Sequence, residues 1–225
     1  ARLQPQDVLQ LERNLTRHGL PCYNEGMAKL LQEEGPPIRI WSVPEGTVVK
    51  PHQPLMVVEN TKDFWWVTSF LETLLLKVWY PTTVATKAHA VKKILNFWHE
   101  QTADTTDGVD FAYHNFGDRG STSVESALIG GMAHLTQFGG TDNFNAVCEL
   151  PFYYHDFNGV SIPATEHSTV TCWTHEGELD MIRNYIQEYK DSPIIACVMD
   201  SYDVYKAVDY VTDATKKPRQ MIEDG

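Results

Sequence analysis

From Asp63 to about Asp104 the apolar positions recur with a helical period. DFWWVTSFLETLLLKVWY is apolar on most of its faces, which predicts a helix buried in the core. Pro81 is expected to separate it from a second, more amphipathic helix, TVATKAHAVKKILNFWHE. Upstream, Val8, Leu11 and Leu15 share one face of a helix over 5–18 that Gly19 and Pro21 end. Asn24 is placed to cap a further helix reaching Glu34, with Met27, Leu30 and Leu31 inward and Gly35 as the stop. Between these stretches the period shortens. IRIWSV (38–43) and LMVVENT (55–61) read as strands of a compact β-unit, with a turn at Pro44-Glu45-Gly46 and two prolines, Pro51 and Pro54, in the link.

Beyond residue 110, strands and helices alternate. DFAYHNFGDRGSTSVESALIGGMAH (110–134) reads as a short strand, a Gly-punctuated turn and a helix. Gly117 and Gly120 bracket Asp118 and Arg119, and Thr122 with Glu125 forms a capping-box signature ahead of a buried helical run. A strand that delivers a His, an aromatic and an Arg to the mouth of a helix makes a pocket for an anionic ligand. A helix from about Phe144, an aromatic loop at 152–157 and a short strand at 160–163 follow. Next come a helix opening near Glu166, a long amphipathic helix from about Gly177 to Lys190, the strand IIACVM (194–199) and the helix YDVYKAVDYV. This alternation predicts a parallel α/β arrangement such as part of a barrel.

Composition narrows the function. A chain of 225 residues holds one large or two small domains with a substantial core. The net charge of −12, with 18 basic residues in no long run, excludes a nucleic-acid surface, so few local donors must hold any anion. Cys22, Cys148, Cys172 and Cys197 form no CxxC pair and are expected as reduced thiols of a cytoplasmic protein. No signal peptide is read at the start, and Thr68, Ser69, Glu72, Thr73 and Lys77 break the longest apolar run, so no membrane span is expected. The initial Ala and the closing KKPRQMIEDG read as cut ends.

Taken singly, each polar candidate has a plain structural reading. Phe116 fits a core aromatic at a strand end, Arg119 a surface ion pair, and Asp142 or Asp200 a helix cap. His114 alone fits a satisfied structural His, whereas His167, between Glu166 and Ser168-Thr169, sits in a setting that points to catalysis. A Ser-His-Asp hydrolase is opposed by the lack of a GxSxG elbow, and zinc held by His114, His134 and His167 by their spacing.

Four motifs then combine. HNFGDRG (114–120), QFGGTDN (137–143), SIPATEHST (161–169) and MDSYDVY (199–205) closely resemble the nicotinamide phosphoribosyltransferases of the type II phosphoribosyltransferase family, in that family's order, over about Ile38 to Val211. The resemblance implies an irregular α/β barrel with a smaller mixed α/β portion, divided here as 1–109 and 110–225. It implies that nicotinamide and phosphoribosyl pyrophosphate give nicotinamide mononucleotide and pyrophosphate. In it Phe116 stacks on the pyridine ring, His114 and Ser161 line the pocket, Asp142 accepts from the carboxamide N–H and Arg119 meets pyrophosphate. His167 and Asp200 fall at the catalytic positions, with Mg²⁺ arriving on the substrate and ATP as a donor that phosphorylates His167. The family's shared site implies a homodimer.

The sequence also departs from that pattern. Asp118 stands where the family has Tyr, Gly139 replaces a Lys and Ala196 a small hydroxyl residue. The family's RPDSG-type segment and Gly-rich 5′-phosphate loop are not found, so the chain by itself is expected to turn over negligibly and to need a complementary C-terminal chain. A nicotinate enzyme and a non-catalytic scaffold are the alternatives; a carboxylate at 142 disfavours nicotinate by like charge.

Overall fold

The computed structural model describes residues 6, 10, 13, 25–209 and 211. The helix predicted over 5–18, apart from three isolated positions, the cap at Asn24, Cys22 and the end of the last helix lie outside the described residues. The chain divides into two compact units, Ala1–Lys87 and Ala88–Gly225.

In the first unit, α1 (Glu25–Gln32) precedes a hairpin of β1 (Ile38–Ser42) and β2 (Met56–Asn60). The strands are antiparallel, with Ile40 opposite Val58 and Trp41 opposite Val57. The turn ahead of Pro51 falls where expected: Thr47 N–H donates to Pro44 O at 3.2 Å and Gly46 takes φ +80°, a conformation that glycine adopts without a Cβ clash. Next come α2 (Val67–Leu75), a 3₁₀ turn (Leu76–Val78) and α3 (Trp79–Thr102), which starts in this unit and ends in the next. Two expectations fail here. Pro81 does not separate the helices: it sits in the first turn of α3, where its missing N–H has no partner to lose, and the helical path only tightens ahead of it. Nor is α2 a core helix. Val67 is fully buried, but Trp65, Phe70, Leu74, Leu76 and Trp79 are exposed.

In the second unit a 3₁₀ turn (Val109–Phe111) replaces the start of the predicted strand. The next helix, α4 (Val124–Leu135), is capped one residue later than read: Ser123 Oγ accepts from Ser126 N–H at 3.1 Å and Ser126 Oγ accepts from Ser123 N–H at 2.9 Å. As expected, α4 is buried, through Ala127, Gly130, Gly131, Ala133 and His134. Helix α5 (Phe144–Tyr154) opens on Asn143, whose Oδ1 accepts from Ala146 N–H, and it takes in the first residues of the predicted aromatic loop. It packs on α4 so closely that a Cβ at Gly131 would lie 2.5 Å from that of Ala146. Helices α6 (His167–Cys172) and α7 (Thr174–Glu188) follow near their predicted positions. Val170, Met181, Ile182 and Tyr185 from these two helices form a core with Ile195, Cys197 and Val198.

The strands predicted near 110–116, 160–163 and 194–199 shrink to single bridges, Asn115 with Thr141, Gly140 with Val160 and Ala164 with Ala196. All three bridges are parallel. Side chains displace the rest of the ladder: Thr165 Oγ1 accepts from Val198 N–H at 2.8 Å and Thr141 Oγ1 from Asn143 N–H at 3.1 Å. The fold is mixed α/β, with successive extended segments side by side between helices.

Candidate functional site

The bridges bring distant motifs together. Asp142 N–H donates to Asn115 O at 2.9 Å and Thr141 N–H to Val160 O at 2.9 Å, so the motifs at 114–120, 137–143 and 161–169 run side by side. Side chains alternate in direction along extended backbone, so positions 114 and 116 share a face with 140 and 142, across the Asn115–Thr141 bridge. The His114 ring confirms this register, because a Cβ at Gly140 would lie 2.4 Å from its Nε2. Only glycine lets that ring lie flat over the backbone.

On this face Phe116 is exposed, with its ring centroid 6.2 Å from that of His114 and tilted by 34°. Ser161 Oγ donates to Asp142 Oδ1. The other carboxylate oxygen, Oδ2, is buried without a hydrogen-bond partner among the described residues, as are both ring nitrogens of His114. A buried carboxylate oxygen left unpaired is costly, so Oδ2 can accept from an incoming donor. Asp142 does not cap α5; Asn143 does.

A second group of residues continues from this one. Arg119 Nη2 lies 3.6 Å from Glu166 Oε1, between side chains that are 85% and 66% exposed. Glu166 is the residue that precedes α6, and the first residue of that helix, His167, brings Nε2 to 2.9 Å from Asp200 Oδ1. When Nε2–H donates to Asp200, the lone pair sits on Nδ1. Arg119 is thus an ion pair, as its simplest reading held, but with a residue next to His167.

Sequence reasoning missed several participants. Glu166 was seen only as a neighbour of His167, and no signal pairs it with Arg119. Asn115 carries the bridge, and its Oδ1 accepts from Gly117 N–H at 2.9 Å, which shapes the turn before Arg119. Asp118, the departure from Tyr, is held by Asn145 Nδ2 at 3.1 Å. His134 lies beneath the bridges, 2% exposed, with Nε2 2.9 Å from Gly140 O and its ring stacked 5.3 Å from Phe138. Burial pushes its pKa down, against the opposing pull of the Gly140 carbonyl, and so favours the neutral ring. Burial likewise pushes the pKa of the partly buried Cys197 thiol up, against the opposing hydrogen bond from Thr165, and so favours the protonated thiol.

Among the described residues no group of three or more His, Cys, Asp or Glu is arranged to hold a metal ion. No described helix is long and apolar enough to cross a membrane.

Comparison with known proteins shows the family. The nicotinate phosphoribosyltransferase (NAPRTase) family matches residues 111–224. A nicotinamide phosphoribosyltransferase of Xanthomonas campestris pv. campestris is 44% identical over 209 residues, 90% of this chain and 44% of the relative. Proteins of the same name from Acinetobacter baylyi and Mycoplasma genitalium are 35% and 31% identical, over 76% and 72% of this chain and 35% of each relative. The chain therefore spans less than half the length of the curated relatives it matches.

Proposed function

Because the chain belongs to the nicotinate phosphoribosyltransferase family, we propose that it supplies the nicotinamide-binding part of a nicotinamide phosphoribosyltransferase. The reaction joins nicotinamide to phosphoribosyl pyrophosphate and releases pyrophosphate, a pentosyl transfer in NAD biosynthesis. The observation that carries this reading is Asp142: Ser161 holds one oxygen and the other is buried and unpaired, on the face that carries Phe116. A carboxamide N–H donates to that oxygen, whereas nicotinate would set a second negative charge against it in a partly dry site. The three relatives above bear the name of the amide-using enzyme.

In the proposed mechanism Phe116 supports the ring by stacking, worth about 1–3 kcal/mol by analogy with bases on aromatics. Asp142 fixes the ring's rotation and His114 closes the inner end. The ring nitrogen bonds to C1 of the ribose as the C1–O bond to pyrophosphate breaks, and that oxygen takes the electron pair. No general base is needed, because the nitrogen carries no proton. Arg119 neutralises charge on the departing pyrophosphate, and orientation supplies most of the rate. Asp200 would be a group of this chain able to meet Mg²⁺ carried on the substrate's phosphates, which would supply further charge compensation. His167, its Nε2–H held by Asp200, would offer the Nδ1 lone pair to the γ-phosphoryl of ATP, with ADP leaving as that P–O bond breaks.

The parallel bridges from 115 to 196 support the reading of this part as the start of an irregular barrel. By the family pattern, a second copy in a homodimer shares the site. We place the protein in the cytoplasm. Calorimetry with nicotinamide and nicotinate on the assembled protein tests the reading. Nicotinamide should bind at least tenfold tighter, and Asp142→Asn should narrow the gap; equal binding of both ligands to both proteins rejects it.

A further inference from the structure

The segments that lead to His167 and to Asp200 start as a parallel pair and then change register. Ala164 bridges Ala196, with Ala196 N–H donating to Pro163 O at 2.9 Å and Thr165 N–H to Ala196 O at 3.1 Å. In a regular parallel ladder the next bond would run from Val198 N–H to the Thr165 carbonyl, and Ser168 would come opposite Asp200. The chain departs from that ladder at Thr165. Val198 N–H donates to Thr165 Oγ1 at 2.8 Å, so the hydroxyl takes the place of the carbonyl on the same residue. Partners are 32 residues apart at the bridge but 33 apart at Thr165 and Val198, and 33 is also the separation of His167 and Asp200. The hydroxyl is held in turn. Its O–H donates to Cys197 Sγ at 3.7 Å, and the Cys197 thiol donates to Val198 O at 3.7 Å. The three bonds close a circuit that starts and ends on Val198.

We propose that Thr165 is a positioning residue: its hydroxyl shifts the pairing by one residue and so sets His167, not Ser168, against Asp200. This rests on the reading of His167 as the phosphoryl acceptor and adds what decides which of its ring nitrogens is free. The His167 and Asp200 side chains are 64% and 67% exposed, so burial does not hold their contact. An exposed pair of this kind contributes little by itself and must be placed by the backbone beneath it. Thr165 and Val198 supply that backbone, each half-buried and each two residues ahead of a member of the pair. With valine at 165, the Val198 N–H has the carbonyl of the same residue to turn to. The ladder then continues for one more bond, and the pair comes apart without leaving a donor unpaired.

Phosphorylation of the chain with phosphoramidate tests this without ATP. A ring-nitrogen lone pair attacks phosphorus, the bond from phosphorus to the ring forms as the bond to ammonia breaks, and ammonia carries off the electron pair. Phosphorus NMR separates the Nδ1 and Nε2 isomers, and His167→Gln identifies the signal of this residue among the other histidines. In the parent, Asp200 occupies Nε2–H and repels an anionic donor there, so the Nδ1 isomer should persist under prolonged treatment. Thr165→Val should raise the Nε2 share by roughly threefold, the scale on which an exposed pair acts, while the chain still melts cooperatively. Thr165→Ser, which keeps the hydroxyl, should restore the parent's ratio. An unchanged ratio in Thr165→Val overturns the proposal. So does a Thr165→Val chain that no longer folds, which assigns the hydroxyl to the fold and not to the pair, and so does an equal shift in Thr165→Ser. Failure of the catalytic reading looks different: the isomer ratio follows the hydroxyl, and ATP leaves His167 unmodified.

Discussion

Asp142 and Ser161 meet on backbone pinned from both sides by the Asn115 and Val160 segments, whereas Arg119 and Glu166 meet at 3.6 Å between mostly exposed side chains. The first pair has a buried carboxylate oxygen waiting for a donor; the second has two charges already shared with each other and with water. A neutral amide brings little energy to organise its own site, so the protein must build that end in advance. A pyrophosphate brings several charges and orders flexible cations as it binds. The difference teaches that, on the proposed reading, the ring end is built before the ligand arrives, while the Arg119 end is left for the substrate to organise.

The sharpest way to break this contrast is to disturb the pinned end. Gly140→Ala should destabilise the chain by about 2–3 kcal/mol, because the new Cβ meets the His114 ring, which must turn aside or push the bridged backbone apart. Urea denaturation reads the loss. Removing the ring as well, in His114→Ala/Gly140→Ala, should recover much of it. If Gly140→Ala alone melts like the parent, the ring end is not rigid and the contrast fails.

Next in size is the carboxylate itself. Asp142→Asn keeps the shape and the contact with Ser161 but removes a charge-assisted bond, worth about 1.5–3 kcal/mol of nicotinamide affinity in the assembled protein. Calorimetry should show that loss with stability nearly unchanged. A large loss of stability would mean that Asp142 holds the fold and not the ligand.

How far the sequence carried this site follows from what each residue does. The helices at 25–32, 124–135, 144–154 and 174–188 were legible because apolar period and cap chemistry are local. Asp142, Ser161 and Phe116 were located by motif, and their register followed once Gly140 was found beneath His114. The strands were not legible as such: Gly117, Gly139, Gly140 and Pro163 interrupt the segments, and side-chain oxygens take over the ladder. The Arg119–Glu166 pair spans distant loops, and no periodicity records such a contact. The exposure of α2 was misread for a related reason: a pattern reports which residues are apolar, but not whether a described residue packs on them.

A smaller effect comes from His134, beneath the pinned end. Its folded pKa lies below its ordinary 6.5, because burial disfavours the charged ring. The unfolded chain therefore binds the proton more readily, and stability that is full above about pH 6.5 should fall as pH drops toward the folded value. The slope from one such group is at most about 1.4 kcal/mol per pH unit. Thermal melts at intervals from pH 7.5 to 5 should show this slope in the parent and less of it in His134→Gln. Equal slopes in the two proteins would mean that the ring is solvated and the bridges above it are not rigid.

The smallest effect is expected at the phosphate end, and it separates the two ends most directly. Glu166→Gln removes an exposed ion pair, and exposed pairs contribute about 0–1 kcal/mol, so the melt should shift by no more than a degree or two. Adding 1 M salt should erase even that difference, since charges in water are screened within a few ångströms. Freed from Glu166, Arg119 should bind inorganic pyrophosphate a few-fold more tightly at low salt, and Arg119→Gln should lose this gain. Should Glu166→Gln instead unfold the chain by 2 kcal/mol or more, the Arg119 turn is as firmly pinned as Asp142. The site would then have no soft end for the substrate to organise.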